Sequence, residues 1–395
     1  MKKLLLASAA TVALAGSAFA EAHGDVKLGV ILGFTGPIES LTPAMAAGAE
    51  QAMSEVSESG KFMGGKSITS VRADSTGVDS AAASAAAERL ITSDGVSGIV
   101  GADCSGVTTA ILTNVAVANG MVMISPSATS PALSDVEDNG LFFRTSPSDA
   151  RQGQVMTEVI MDRDIKSVAI TYTNNDYGKG LADAFQSSFE AAGGTVTISA
   201  AHEDGKADYS AEVGALAAAG GDVLVVVGYL DQGGKGVIEG SLDSGAFDTF
   251  VLSDGMVGDS LPEAIGSDLN GSFGQAPGTD SEGAAMLNDL MADVDASAPY
   301  VAESYDAAAL IALAMQAADS TDPSVYKEKI MDVANAPGEK IMPGELGKAL
   351  EIIAGGGDVD YVGGSNVELI GAGESAGSYR EIEIKDGALS TVGFR

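Results

Sequence analysis

Residues Gly101–Leu133 read GADCSGVTTAILTNVAVANGMVMISPSATSPAL, and they decide how the rest of the 395-residue chain is read. Gly98-Ile99-Val100-Gly101 is a short apolar run of the kind that ends a buried strand. Ser105 and Thr108 open a helical pattern that runs to about Ala118, and Gly120 ends it. Met121–Ile124 is a second apolar run, followed at once by Ser125-Pro126-Ser127-Ala128-Thr129. Two strand ends thus bring hydroxyl groups and free backbone N–H groups to neighbouring loops. A helix N-terminus carries about half a positive charge, and open α/β sheets bind ligands beyond the carboxyl ends of their strands. That chemistry suits an anionic oxygen such as a carboxylate. The same residues also fit a plainer role, with Ser105 capping its helix and SPSAT forming a turn.

Strands and helices alternate outward from this stretch. On its N-terminal side lie a strand at Val26–Phe34, a helix at Pro43–Ser57, a strand at Ser67–Ala73 and a helix at Asp79–Thr92. The pattern restarts after Phe142–Thr145. A helix at Asp149–Met161 and a strand at Ser167–Tyr172 come first, then a helix ending near Ala192. Strand 194–200, helix 208–219, the very apolar strand Asp222–Val227, helix 233–243 and strand 248–252 follow. Alternation of this kind predicts parallel sheets covered by helices. Two such series give two lobes. The loops Thr173–Gly178, Gly228–Asp231 and Ser253–Gly255 of the second lobe are expected to face the first across a cleft, a favoured place for a small-molecule site. The last third is less regular, with a strand at Ser272–Pro277 and helices at Tyr300–Ala318, Ser324–Ala334 and Gly344–Ala354. Strands at Val367–Ile370 and Tyr379–Ile384 flank a glycine-rich turn.

Met1-Lys2-Lys3, the apolar run Leu4–Ala15 and Ala18-Phe19-Ala20 have the form of a secretory signal peptide cleaved near Ala20. The protein is therefore expected in the periplasm. With 21 Lys+Arg against 55 Asp+Glu, the formal charge is −34, which argues against nucleic acid or anionic lipid as partner. The single cysteine, Cys104, allows no intrachain disulfide. It reads as a small buried hydrophobe, or as a reactive thiol beside the pocket. Gly373-Glu374-Ser375-Ala376-Gly377 matches a hydrolase nucleophile elbow, but no histidine lies beyond His202, so it reads as a hairpin turn. Asp358-x-Asp360-x-x-Gly363 lacks the later ligands of a calcium loop and reads as a surface turn. His23 and His202 alone build neither a metal cluster nor a catalytic triad. No cofactor, no metal and no enzymatic activity are expected.

Taken together, VKLGVILGFTGP, C-S-x-x-T at 104–108, MISPSATSPAL, FRTSPSDARQG, NNDYGKG, GYLDQ and SYDA resemble the periplasmic leucine/isoleucine/valine-binding family. These are type I solute-binding proteins of ABC importers. The resemblance implies an α/β fold of two Rossmann-like lobes with parallel sheets, joined by a three-crossover hinge (periplasmic-binding-protein-like I). It implies a signal peptide at 1–20, lobe one at 21–145 with 276–379, and lobe two at 146–275 with 380–395. The partners implied are an amino-acid ligand and an inner-membrane ABC permease, with the receptor itself a monomer. Carried over residue by residue, the ligand α-carboxylate would meet Ser105 and Thr129, with backbone contacts from Ser127 and Ala128. The α-ammonium would meet Asp254, with Tyr177 and Tyr229 lining the closed cleft.

The ligand side-chain pocket would involve Leu41, Asp103, Cys104 and Glu303. Leu41 stands where the family often has an aromatic residue, Asp103 where it has an apolar one, and the disulfide partner of Cys104 is missing. A desolvated, unpaired Asp103 would be costly beside an aliphatic group, so it predicts a polar or cationic ligand over leucine, isoleucine or valine. Other readings are a receptor for an amide, aromatic acid or other small metabolite, or a ligand-sensing module acting on a signalling partner.

Overall fold

The computed structural model describes residues 25–395, and the expected signal peptide, Met1–Ala20, lies outside the described residues. Strands β1 (Val26–Leu32), β2 (Ile68–Asp74), β3 (Ile99–Gly101), β4 (Met123–Ser125) and β5 (Phe142–Pro147) pair in parallel. Strands β6 (Ser167–Thr173), β7 (Thr195–His202), β8 (Val223–Val227), β9 (Phe250–Leu252) and β10 (Phe273–Pro277) form a second parallel set. The chain then makes a small pair from β11 (Glu339–Ile341) and β12 (Val359–Tyr361). Strands β13 (Leu369–Ile370) and β14 (Glu374–Ser375) return to the edge of the first sheet, while β15 (Tyr379–Lys385) and β16 (Ala388–Phe394) add an antiparallel edge to the second.

Each sheet has seven strands, in the orders β13-β14-β5-β4-β3-β1-β2 and β16-β15-β10-β9-β8-β6-β7. The two lobes repeat one topology. In each, the order reverses between the first strand and the third, β1/β3 in one lobe and β6/β8 in the other. Loops leaving the carboxyl ends of those strands part at this switch point and open a crevice.

Hydrophobicity explains which strands are central. β8, Val-Leu-Val-Val-Val, is buried at all five positions, whereas β7 alternates exposed and half-buried residues as an edge strand should. Helices α1 (Thr42–Glu58), α2 (Ser80–Arg89) and α3 (Ser105–Ile111) cover the first sheet, and α3 continues through a π-helical turn into α4 (Val117–Asn119). Next come α5 (Asp149–Met161), α6 (Asp176–Ala191), α7 (Ser210–Ala219), α8 (Gly233–Ser244), α9 (Ser260–Ile265) and α10 (Glu282–Leu290). The last three are α11 (Val301–Ala318), α12 (Pro323–Ala334) and α13 (Leu346–Ala354). α11 is buried almost all round, from Val301 to Met315, as befits a helix apolar on every face. α1 lies close against it: a Cβ at Gly48 would come within 2.4 Å of the Val301 carbonyl oxygen.

The chain passes to the second sheet after Pro147, back after Pro277, and over again between Ser375 and Tyr379. Ala276 and Pro277 pair with Arg380 and Tyr379 in the second sheet, so strand pairing is carried a few residues past the joints read from sequence. Two turn readings change. Asp360 lies in β12, where Val359 and Tyr361 both face inward, and Glu374-Ser375 of the GESAG stretch forms β14 rather than the turn itself.

Candidate ligand-binding cleft

The first wall comes from the β1/β3 switch point. Gly101, with φ of 129°, lets β3 run past β1 so closely that a Cβ there would sit 2.2 Å from the Ile31 carbonyl oxygen. The chain then delivers Asp103, Cys104 and Ser105, all nearly fully buried, with Ser105 opening α3. The loop after β4 is tied to this one by hydroxyl groups. Ser125 Oγ donates to the Ala102 carbonyl at 2.5 Å and accepts the Ala128 N–H at 2.9 Å. Ser127 Oγ donates to the Asp103 carbonyl at 3.1 Å, and Ser105 Oγ accepts the Ser130 N–H at 3.0 Å. Arg144, buried on β5, fixes the same loop from behind by donating to the carbonyls of Ala128 and Ser130 at 3.1 and 2.9 Å. Its other nitrogen reaches Ser134 Oγ at 2.8 Å and the Glu374 carboxylate at 2.5 Å.

The second wall comes from the β6/β8 switch point and the turn after β9. Asn175 caps α6 by accepting the Gly178 N–H at 2.9 Å, which sets Tyr177 facing the cleft. Gly178 is required there, since a Cβ would lie 2.0 Å from the Thr173 carbonyl oxygen. Tyr177 and Tyr229 stack with ring centroids 5.2 Å apart. Asp254, only 1% exposed, accepts hydrogen bonds from Gln152 Nε2 at 3.0 Å and the Tyr177 hydroxyl at 2.5 Å, and one from the Tyr300 hydroxyl. Burial pushes both phenols well above their usual range, and the Asp254 charge adds to that. Three donors thus hold the Asp254 carboxylate.

Asp103, Cys104, Ser105 and Ser127 meet Tyr177, Tyr229, Asp254 and Tyr300 around one small space, bordered also by Ile38 and Gly255. About 10 Å³ remains free at its centre, room for about one water. At the rim the lobes are clasped by Asp231, which accepts from Ser40 N–H at 3.0 Å, Ser40 Oγ at 2.7 Å and Ser260 Oγ at 2.9 Å. The lobes are therefore closed on each other.

Some expectations from sequence need correction. Glu303 does not border this space. Tyr300, whose φ of 66° turns it out of the helix that follows, takes the cleft position, while Glu303 on the first turn of α11 lines a different cavity. Leu41 is buried beside Gly258 of the second lobe instead of lining the pocket. Ala128 and Thr129 do not border this space: the Ala128 N–H and carbonyl are engaged with Ser125 and Arg144, and the Thr129 carbonyl accepts the Asp149 N–H. Asp103 is not unpaired: Ser75 Oγ donates to it at 2.7 Å and the Gly33 N–H approaches it, although burial still raises its pKa above the usual carboxylate value. Asp103 thus borders the space as a hydrogen-bonded carboxyl group rather than an unpaired one. Cys104 is buried and its thiol pushed well up by burial, then by the Asp103 charge.

Ile38, Tyr300 and Gln152 were missed in the sequence. Gln152 follows Asp149 at the i,i+3 spacing of one helix face, a signal that was available. Behind Asp254 lie Asp149 and Gln275, fully buried, and the Thr129 hydroxyl; both Asp149 oxygens, both Gln275 side-chain polar atoms and Thr129 Oγ1 lack a hydrogen-bond partner among the described residues. Burial, and then the neighbouring Asp254, push the Asp149 carboxyl well above the usual range.

Residues 25–338 match the family model described as periplasmic binding protein. The chain belongs to that family. Within it, the periplasmic binding protein is 31% identical over 350 residues to Leu/Ile/Val-binding protein homolog 1 of Brucella melitensis, covering 86% of this chain and 89% of that protein. With Leu/Ile/Val-binding protein homolog 3 of the same organism the identity is 35% over 237 residues, 59% of this chain and 62% of that protein. The chemotactic signal transduction system substrate-binding protein BasB of Halobacterium salinarum is 28% identical over 378 residues, 93% of this chain and 88% of that protein. Among solved structures, the leucine-binding protein LivK of Thermotoga maritima superposes with a TM-score of 0.79 at 21% identity, covering 93% of this chain and 98% of that one. At that identity the likeness is one of fold. These relatives and this structural neighbour are binding proteins.

Proposed function

We propose that the protein is the periplasmic receptor of an ABC importer and takes an α-amino acid into the interlobe cleft. The observation that carries this reading is the meeting, across one small buried space, of the Asp254 carboxylate with the hydroxyl groups and α3 N-terminus at Ser105 and Ser127. An α-ammonium would replace donors at Asp254, and an α-carboxylate would take the Ser105 side, where hydroxyls and N–H groups converge. Ligand would then bridge the lobes, and closure would be favourable with ligand and less so without it. Ile38, Cys104, Tyr229 and Tyr300 give the remaining space a largely apolar border, which supports a side chain of the leucine, isoleucine or valine type. Calorimetry of refolded, ligand-free protein against leucine, glutamine, ornithine and arginine, and against 4-methylpentanoate and benzoate, which have no α-ammonium, tests this reading. One equivalent of an aliphatic amino acid should bind without turnover; binding only of compounds lacking an α-ammonium would overturn it.

The relative named for chemotactic signal transduction favours a second reading, a receptor that reports its ligand to a signalling partner. Deleting the gene separates the two. An importer receptor's loss abolishes uptake of the ligand, whereas a sensor's loss abolishes the behavioural response and leaves uptake intact.

A further inference from the structure

A second cavity, of about 280 Å³, lies where the crossovers meet, outside the cleft. It is close to the lower end of the size range of small-molecule sites, about 300 Å³. Its walls come from both lobes: Thr279 and Ser281 on the second crossover, Asn288 on α10, Glu303 on α11, Ser365 before β13 and Arg380 on β15.

Glu303 and Arg380 face this space without meeting, and the exposed Asp280 borders it as well. Glu303 is 4% exposed, and its carboxyl group takes no hydrogen bond from another described residue. Burial pushes it up to about 7, with Asp306 adding to the rise and Arg380 opposing it. The Arg380 guanidinium has no carboxylate within 4.0 Å among the described residues, and burial lowers it despite the nearby charges of Asp295, Glu303 and Asp259. A half-buried guanidinium normally finds a planar anion, and a buried carboxylate a cation. Here each is left open to the same cavity.

We propose that this hinge cavity is a second binding site, for a small zwitterion whose carboxylate meets Arg380 and whose ammonium meets Glu303. Thr279, Ser281 and Ser365 also line the cavity, with Ser365 Oγ committed to Asp306 at 2.6 Å and Ser281 Oγ to the N-terminus of α10. Because Arg380 belongs to the second sheet and Glu303 to a helix packed on the first, an occupant spans the hinge and biases its angle. The site stands independently of the reading of the cleft.

Glycine, acetate and methylammonium are the probes, titrated into ¹⁵N-labelled protein while the amide signals of Gly278, Thr279 and Ser365 are followed. Glycine should shift these signals saturably, and more tightly than either half-molecule. Arg380→Gln and Glu303→Gln should each weaken the effect at least tenfold, and Arg380→Lys should retain part of it; the same spectra verify that each variant is folded. Asp254→Asn should leave the effect unchanged, which distinguishes failure of this site from failure of the cleft. Shifts that acetate produces as well as glycine, shifts that survive Arg380→Gln undiminished, or no shifts at these three amides would each overturn the proposal.

Discussion

Acidification of the second lobe should act through His202. This residue is 1% exposed, with Nδ1 2.8 Å from Thr171 Oγ1 and Nε2 without a partner. Burial, only partly opposed by Glu212 and Glu203, lowers its pKa from 6.5 to about 4. The folded state thus holds the ring neutral where the unfolded chain would protonate it. Its stabilising contribution is complete above pH 6.5 and is lost as pH falls toward 4. A shift of that size is worth about 3 kcal/mol in full, of which about 2 kcal/mol is lost between pH 8 and pH 5. Glu303 works in the opposite sense. Its pKa rises from 4.5 to about 7 on folding, so its contribution is complete below pH 4.5 and fades as pH rises through 7. Between pH 8 and pH 5 it returns about 2–3 kcal/mol. The two nearly cancel, and single variants should expose them. In urea unfolding, His202→Gln should gain on wild type by about 2 kcal/mol in going from pH 8 to pH 5, and Glu303→Gln should lose by a similar amount. A difference between His202→Gln and wild type that is the same at both pH values would refute the claim that burial keeps the ring neutral.

The other predictions concern the cleft and its supports. Asp254→Asn should weaken binding of an α-amino acid by about 2–5 kcal/mol in calorimetry, the range for a buried charge pair that loses one partner; unchanged affinity would take Asp254 out of the site. Arg144→Met should lower unfolding free energy by about 3–5 kcal/mol, because it strands the Glu374 carboxylate and frees the SPSAT loop; a loss under 1 kcal/mol would mean the loop is held without it. Cys104 should react very slowly with a maleimide in wild type, and Asp231→Ala, which removes the clasp to Ser40 and Ser260, should speed labelling at least tenfold. Equal rates would place the thiol beyond the reach of lobe opening.

Much of this architecture was legible because apolar strand runs and glycine stops fall at regular intervals. Asp222–Val227 could hardly be read otherwise, and the apolar runs Gly98–Gly101 and Met121–Ile124 overlap β3 and β4. β16 was invisible because Ala388–Phe394 is a mostly exposed edge strand with no clear apolar face. Tyr300 and Glu303 show a different limit. Periodicity gives the faces of a helix but not the left-handed residue before it, and that residue decides which of the two side chains enters the cleft. Asp103 marks a third. Its type and position suggested an unpaired charge, but Ser75, twenty-eight residues earlier in the chain, supplies the missing donor, and no local pattern announces such a partner.

The Arg144–Glu374 tie has a consequence for how the protein comes into being. The loop that forms one wall of the cleft is braced by Arg144, which is itself held by a residue 230 positions further along the chain, and the second sheet is completed only by the strands after it. A chain made N-terminus first holds all the pocket side chains well before it can hold them in place. Binding competence therefore arrives late and all at once, and a fragment that stops short of Glu374 should carry every residue of the site and still bind nothing.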